Sequence, residues 1–489
     1  MTPLDGSLVD ELLAPHPLTR RVFVKGVGLV SLSLFLTTLG GCEDLLKQIA
    51  NRPIRRRLRT GSPDVDQDIA TYRHAVELMK ALDVSNPTDQ RSWINQATIH
   101  GTVAGGFNFC QHGTPHFFDW HRAYLLYFEQ ICQKLTGNSK FGLPYWNWNQ
   151  NPTIHAAYLD TSSALYLARA RTDLSGVSAI SSAELDPIMA DGNFYTFWQQ
   201  IEGTPHNTVH VTVGDTMGGG GSALDPIFWN HHCMVDYCWA KWNIELNHDT
   251  TNDASWVNQV NSHFVDADGA PATVTAGLTT VMPLLAYRYE SSAIGSLPAK
   301  EIALHEYKKL EARLRKGAQV RFEVKQRVRL AETTRTSVAR PLSIQTRLAP
   351  ESFSRIIDAD PTTERVFASI DYATLPASRD YVVRVFLNLP GANDQTPVSD
   401  PHYAGSFAFF GSDATAAGTG HSGQLSYLVS LSGSLMRLKS RQELNASTAL
   451  TLQLVPVPVG ERLERPDTPL ILNHVDIITT PVIVTPPPE

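Results

Sequence analysis

Residues 110–129 read CQHGTPHFFDWHRAYLLYFE. Three histidines, His112, His116 and His121, fall within ten residues, set among aromatic side chains. From His121 to Leu135 the apolar positions recur at three- and four-residue spacing, the pattern of an amphipathic helix. Thr114-Pro115 marks its start, since proline suits the first turn, where its missing N–H is not needed. His121 then lies on the helix and His112 in the loop before it. Nine helical residues, at ~100° each, would set these two on opposite faces, so both reach one centre only if the loop folds back. His116, five residues from His121 and ~140° round the helix, reads as structural.

A second cluster lies at 202–210 (EGTPHNTVH) and 225–236 (DPIFWNHHCMVD). His206 and His210 are four apart, hence on one helix face. Thr204 as N-cap and Pro205 as first helical residue predict a helix that starts just before His206. His231 and His232 are adjacent, ~100° apart on a helix, so only one of them should reach a shared site. Imidazole without thiolate or carboxylate suits zinc, copper, iron or nickel and points away from calcium, magnesium and iron–sulfur clusters. A di-iron carboxylate bundle needs two Glu-x-x-His strings, and only Glu245-Leu-Asn-His248 is present. His305-Glu306 lacks the second histidine of a zinc-protease helix. Six histidines, three for each of two ions, is the arrangement that remains.

The rest of the chain sets the frame. Its 489 residues suffice for two or three domains, and a formal charge of −7 argues against nucleic acid as the main partner. Five cysteines are too few for a disulfide scaffold. Near the N-terminus, TRRVFVK (19–25) precedes an uncharged run from Gly26 to Gly41 and then Cys42. Paired arginines, a short apolar run and small residues predict export by a twin-arginine-type signal. Leu-Gly-Gly-Cys resembles a bacterial lipoprotein box, which would lipidate Cys42 and hold the protein in the periplasm or on a membrane. Arg52, Arg55, Arg56, Arg57 and Arg59 read as a solvated linker.

The expected division is an export signal and basic linker (1–60), a helix-rich unit (64–290), a connector (291–344) with a charged helical stretch at 299–316, and a β-rich unit (345–489). In the last, alternating runs such as YVVRVFLNL and LTLQLVPV, separated by turn residues, predict an antiparallel β-sandwich. Four consecutive glycines, Gly218–Gly221, must be either mobile or pressed against something.

His112-x4-Phe117-Phe118-x-Trp120-His121-Arg122-x2-Leu125-x3-Glu129 resembles the first copper signature of tyrosinases, catechol oxidases and molluscan haemocyanins. Asp225-Pro226-x-Phe228-Trp229-x2-His232-x3-Asp236 resembles their second, and Tyr287-Arg-Tyr289 their closing tyrosine motif. RVFLNLPGA and HYAGSFAFFG are similar to the β-domain of plant polyphenol oxidases and haemocyanins. The resemblance implies a helix bundle holding two copper ions, the first on His100, His112 and His121, the second on His206, His210 and His232. It makes His231 a support for its neighbour. It implies a Cys110–His112 thioether, and a water held by Glu202 and Asn207 that takes the phenol proton. The implied activity is copper-dependent oxidation of phenols by O2, with o-aminophenol oxidation or haemocyanin-like oxygen carriage as alternatives. The β-domain would lie over the copper entrance as a shield. Plant relatives place a Phe near the positions of Gly219–Gly221, and its absence here implies an open entrance.

Overall fold

The structure is a computed structural model that describes residues 42–482, except 105, 303–304, 306–322, 338, 377–378, 412–423, 445–448 and 460–468. The stretch expected to be an export signal and most of the charged connector lie outside the described residues. Cys42 opens the first described helix, α1 (Cys42–Asn51), and its side chain is also outside them.

The helical unit is built around α2 (Pro63–Ser85), α3 (Trp93–His100), α4 (Phe117–Thr136), α5 (Phe194–Ile201), α6 (Asn207–Val213) and α7 (Pro226–Ala240). The signature helix α4 has His116 as its N-cap residue and stops at Gly137, whose φ of +69° is the left-handed conformation that ends helices. It packs against α2 and α7. Phe128 of α4 lies flat on Trp229 of α7, ring centroids 3.5 Å apart, and Tyr124 leans on the same indole at 4.6 Å. The aromatics quoted above are thus the seam that fixes α4 and α7, and with them His121 and His232.

Two expectations are corrected here. The helix carrying His206 does not begin at Thr204. α5 continues through a π-helical segment, Glu202–His206, into α6 without a break. Pro205 has no N–H to donate, and the wider π turn absorbs it inside the helix. Nor is the stretch 52–59 a solvated linker. A short strand, β1 (Ile54–Arg55), pairs in parallel with β2 (Arg288–Tyr289). Fully buried Arg55 donates to Glu129 (2.9 Å) and to Asp236 (3.1 Å), and lies 3.6 Å over the Tyr287 ring. Arg122 and the hydroxyls of Tyr287 and Tyr289 close on the same Asp236. This network fastens the N-terminal stretch and the tyrosine motif to α4 and α7.

The β unit has two antiparallel sheets around one apolar core. Its strands are β3 (Gln326–Ala331), β4 (Thr334–Ser337), β5 (Leu342–Arg347), β6 (Glu364–Tyr372), β7 (Tyr381–Leu387), β8 (Tyr403–Ala408), β9 (Ser426–Ser430), β10 (Ala449–Pro458) and β11 (Pro469–Pro481). One sheet runs β9-β6-β11-β3, with β4 also on β11; the other runs β8-β7-β10-β5. Inward residues alternate, as with Val383, Val385 and Leu387 on β7 and Leu450, Leu452 and Leu454 on the neighbouring strand β10. Because β3, β4 and part of β5 precede residue 345, this unit starts earlier than the boundary expected at 345.

Candidate metal centre

Six imidazoles meet in the interior where α3, α4, α6 and α7 converge, each at most 2% exposed. His100, the last residue of α3, His112 in the loop before α4, and His121 on α4 form one trio, with ring centroids 5.1 to 5.8 Å apart. His206, His210 and His232 form the second, at 4.6 to 5.4 Å. The trios face each other: His121 and His232 stack at 4.4 Å, and His112 and His206 lie 5.6 Å apart. The loop does fold back to deliver His112. Gly113 turns the chain with φ +67°, a conformation costly for any side chain, and His112 stacks on Phe107 at 4.5 Å.

Four of the rings are fixed by a bond at Nδ1. His100 donates to Gly220 O (3.2 Å), His121 to Phe117 O (2.7 Å), His206 to Asn207 Oδ1 (2.8 Å) and His210 to Met217 O (2.8 Å). A carbonyl oxygen accepts only from N–H, so in each ring the proton sits on Nδ1 and the lone pair on Nε2. Nε2 of His100, His121 and His206, and both nitrogens of His112, are buried with no hydrogen-bond partner among the described residues. Burial holds the His100 pKa at about 4 and His206 at about 3, and lowers His112, His121, His210 and His232 well below the ordinary imidazole value. Neutral rings with unsatisfied lone pairs turned inward are the donor set a soft-to-borderline metal needs. The residues present therefore fit two copper ions.

His116 stands outside the cluster. It bonds Asp119 at 3.2 Å and stacks on Trp256, as its structural reading required. Cys110 is buried, with Sγ and the nearest ring nitrogens of His100 and His112 all within 4.8 Å of one another. Glu202 and Asn207 share no protein partner among the described residues. Glu202 Oε1 accepts from the Gly113 N–H (2.7 Å), while Oε2 is buried with no hydrogen-bond partner among the described residues. Burial raises its pKa well above the usual carboxyl value, against the pull of the Gly113 N–H. Lying within a continuous helix, Glu202 is not a cap. Asn207 uses Oδ1 on His206 and Nδ2 on Ala408 O (2.8 Å) and Gln424 Oε1 (3.3 Å), both in the β unit.

The entrance is not open. Phe410, just beyond β8, reaches into the helical core and stacks on His210 with centroids 4.0 Å apart; His112 and His206 are 5.4 and 5.5 Å away. The second half of the glycine loop, Gly220 and Gly221, is pressed against its neighbours, while Gly218 and Gly219 have open space around them. A Cβ on Gly220 would stand 2.5 Å from the Gly106 backbone, a contact that real Cβ atoms essentially never show. That close approach is what brings the Gly220 carbonyl onto His100. Thr204 Oγ1 also donates to Ser406 O of β8 (2.7 Å), so β8 is tied once to the π segment and once, through Asn207, to the start of α6. Sequence reasoning missed Phe410, Gln424, Trp148 and the three carbonyl partners. Only Phe117, four residues before His121 on its own helix, was recoverable from spacing.

The profile described as the common central domain of tyrosinase matches residues 90–184 and 167–245, which between them contain all six histidines. A tyrosinase of Hahella sp. (strain CCB-MM4) is 29% identical over 287 residues, covering 46% of this chain and 61% of the relative. A chloroplastic polyphenol oxidase of Malus domestica is 32% identical over 263 residues, covering 42% and 44%. The chain thus spans less than two thirds of the length of these relatives. Among solved structures, latent apple tyrosinase superposes with a TM-score of 0.58 at 19% identity, covering 88% of this chain and 97% of that one. Latent aurone synthase, a polyphenol oxidase, superposes with a TM-score of 0.59 at 21% identity, covering 89% and 90%. These two share the fold across the helical and β units alike. The part of the chain that is similar to the common central domain of tyrosinase is thus the part that holds both histidine trios.

Proposed function

We propose that this chain oxidises phenols with dioxygen at a pair of copper ions. His100, His112 and His121 would hold one ion, and His206, His210 and His232 the other. The observation that carries this reading is the set of six buried neutral imidazoles in two facing trios. Copper bound there would supply two-electron chemistry with O2, able to oxidise an o-diphenol to its o-quinone or to hydroxylate a monophenol. The protein's part is positioning. Fixed Nδ1–H bonds keep four rings aimed before any ion arrives, and the aromatic lining of Phe107, Phe117 and Phe228 keeps water away.

Glu202 is the proton acceptor in this reading. A phenol with pKa near ~10 must lose its proton to bind a metal at neutral pH, and a buried carboxylate held at one oxygen leaves the other for that proton. Asn207 acts through His206, which it orients. Cys110 stands close enough to His112 for the thioether expected of it, which would restrain the ring in its loop; the mass deficit of a Cys–His bond in a peptide spanning 110–112 tests this. The β unit acts as a shield, with Phe410 as the side chain that fills the entrance. That covered site is also the observation that favours a second reading, an oxygen carrier from which phenols are excluded. Export and lipidation at Cys42 complete the proposal, supported by the twin arginine and the Leu-Gly-Gly-Cys box. Fatty-acid labelling lost in Cys42→Ala would support membrane anchoring, and labelling retained would refute it.

The functional test is copper content together with oxygen uptake on monophenol, catechol and o-aminophenol. Two coppers per chain with uptake on a phenol supports the oxidase. Reversible O2 binding without turnover, even when Phe410 is removed, would favour the carrier.

A further inference from the structure

The second trio has a fourth histidine beside it. His206, His210, His231 and His232 each place a ring nitrogen within 4.8 Å of the others, so proximity alone does not choose between the adjacent pair His231 and His232. His231 is fully buried, lies near-parallel to the His206 ring at 5.3 Å and meets the His210 ring edge-on at 4.8 Å. The hydrogen bonds do choose. Trp148 Nε1–H points at His231 Nδ1 at 3.2 Å, and an indole N–H can only donate. His231 Nδ1 must therefore be the accepting nitrogen, and the ring proton sits on Nε2. That leaves His231 with no lone pair for a metal: one nitrogen is spent on Trp148 and the other carries the hydrogen.

His232 is in the opposite position. Its Nδ1 is buried with no hydrogen-bond partner among the described residues, and its Nε2 lies 3.3 Å from Nε2 of His210. Because Met217 O keeps the His210 proton on Nδ1, His210 Nε2 is the acceptor, and in the metal-free chain His232 donates Nε2–H to it. Nothing fixes that proton on Nε2 once the acceptor is engaged elsewhere, so His232 can move it to Nδ1 and present a lone pair. We infer that Trp148 is a positioning residue which locks His231 in the Nε2–H tautomer, excludes it from coordination and leaves His232 as the third ligand of the second ion. His231 then serves as a wall that packs His206 and His210.

The ligand half of this inference rests on the copper reading above; the tautomer half does not. Nitrogen-15 NMR of the copper-free full-length chain reads each imidazole tautomer, and the His231 signal is identified by its disappearance in His231→Gln. The expected result is an Nε2–H ring at His231, converting to a mixture or to the other tautomer in Trp148→Phe. An Nδ1–H ring in the unsubstituted chain would overturn the inference whatever the protein catalyses. Copper analysis gives the second readout. His231→Gln should keep both copper equivalents while His232→Gln drops to one, and the reverse pattern would overturn it.

Discussion

Glu202 is buried, with one carboxylate oxygen lacking a hydrogen-bond partner among the described residues and the other bonded to the loop that carries His112. Its replacement by glutamine keeps the shape and the Gly113 bond but removes the proton acceptor. Monophenol hydroxylation is expected to fall by about a hundredfold or more, the usual loss for a general base, while catechol oxidation changes little. Initial rates on the two substrates check this; equal losses on both would assign Glu202 to structure. Asp236 is the other decisive carboxylate, since Arg55, Arg122, Tyr287 and Tyr289 all converge on it. Asp236→Asn leaves two buried guanidinium groups undercompensated and is expected to cost about 3–5 kcal/mol in denaturant unfolding. At this scale much was legible. The six histidines stand at spacings and in signatures that a reader of the chain can find. Their partners were not, because Met217, Gly220 and Trp148 are brought to His210, His100 and His231 by folding and carry no local pattern of their own.

Among the elements, the π segment and the glycine loop show where local rules mislead. Thr204-Pro205 has the form of a helix start, yet Thr204 donates to Ser406 and Pro205 sits inside a continuous helix. The rule failed because the preceding helical turn already supplies carbonyls to the N–H groups a cap would serve, and the Thr204 hydroxyl is spent as a donor to Ser406 O. Likewise, five arginines in eight residues suggested solvent, while Arg55 is fully buried because Glu129 and Asp236, more than seventy residues away, neutralise it. The glycine run admitted two readings, and at Gly220 and Gly221 the structure takes the pressed one. Gly220→Ala must push the loop off Gly106 and with it the carbonyl on His100. The expected outcome is weakened copper binding at the first trio with the second trio retained, measured as loss of one copper equivalent on dialysis. Unchanged copper content would mean that the loop does not position His100. The β-strands were read well by alternation, apart from β3 to β5, whose half-exposed residues blur the pattern.

For the whole molecule, the proposed shield must be able to leave the site over which Phe410 lies. Besides Phe410, Glu184 of the helical unit faces β8. Burial raises its pKa to about 7, opposed by Tyr403 and by the charges of Arg437 and Arg384. A raised carboxyl pKa means that the docked state prefers the protonated form. The stabilisation of docking from this group is full below the free value near ~4.3 and is lost as pH rises through about 7. Catechol oxidation by the unsubstituted chain is therefore expected to increase across that window, and Glu184→Gln to flatten the profile. A profile that keeps its shape in Glu184→Gln would contradict a role for this residue in docking. The resemblance implied a covering unit but not its plug, because Phe410 is one of several aromatics in HYAGSFAFFG and only the fold shows which of them meets His210. The measurement to make first is oxygen uptake on a catechol by the copper-loaded chain, with and without Phe410→Gly. Two coppers bound per chain, slow uptake in the unsubstituted protein and markedly faster uptake in the variant are expected. Two coppers bound with no uptake in either protein would contradict the assignment of a shielded phenol oxidase.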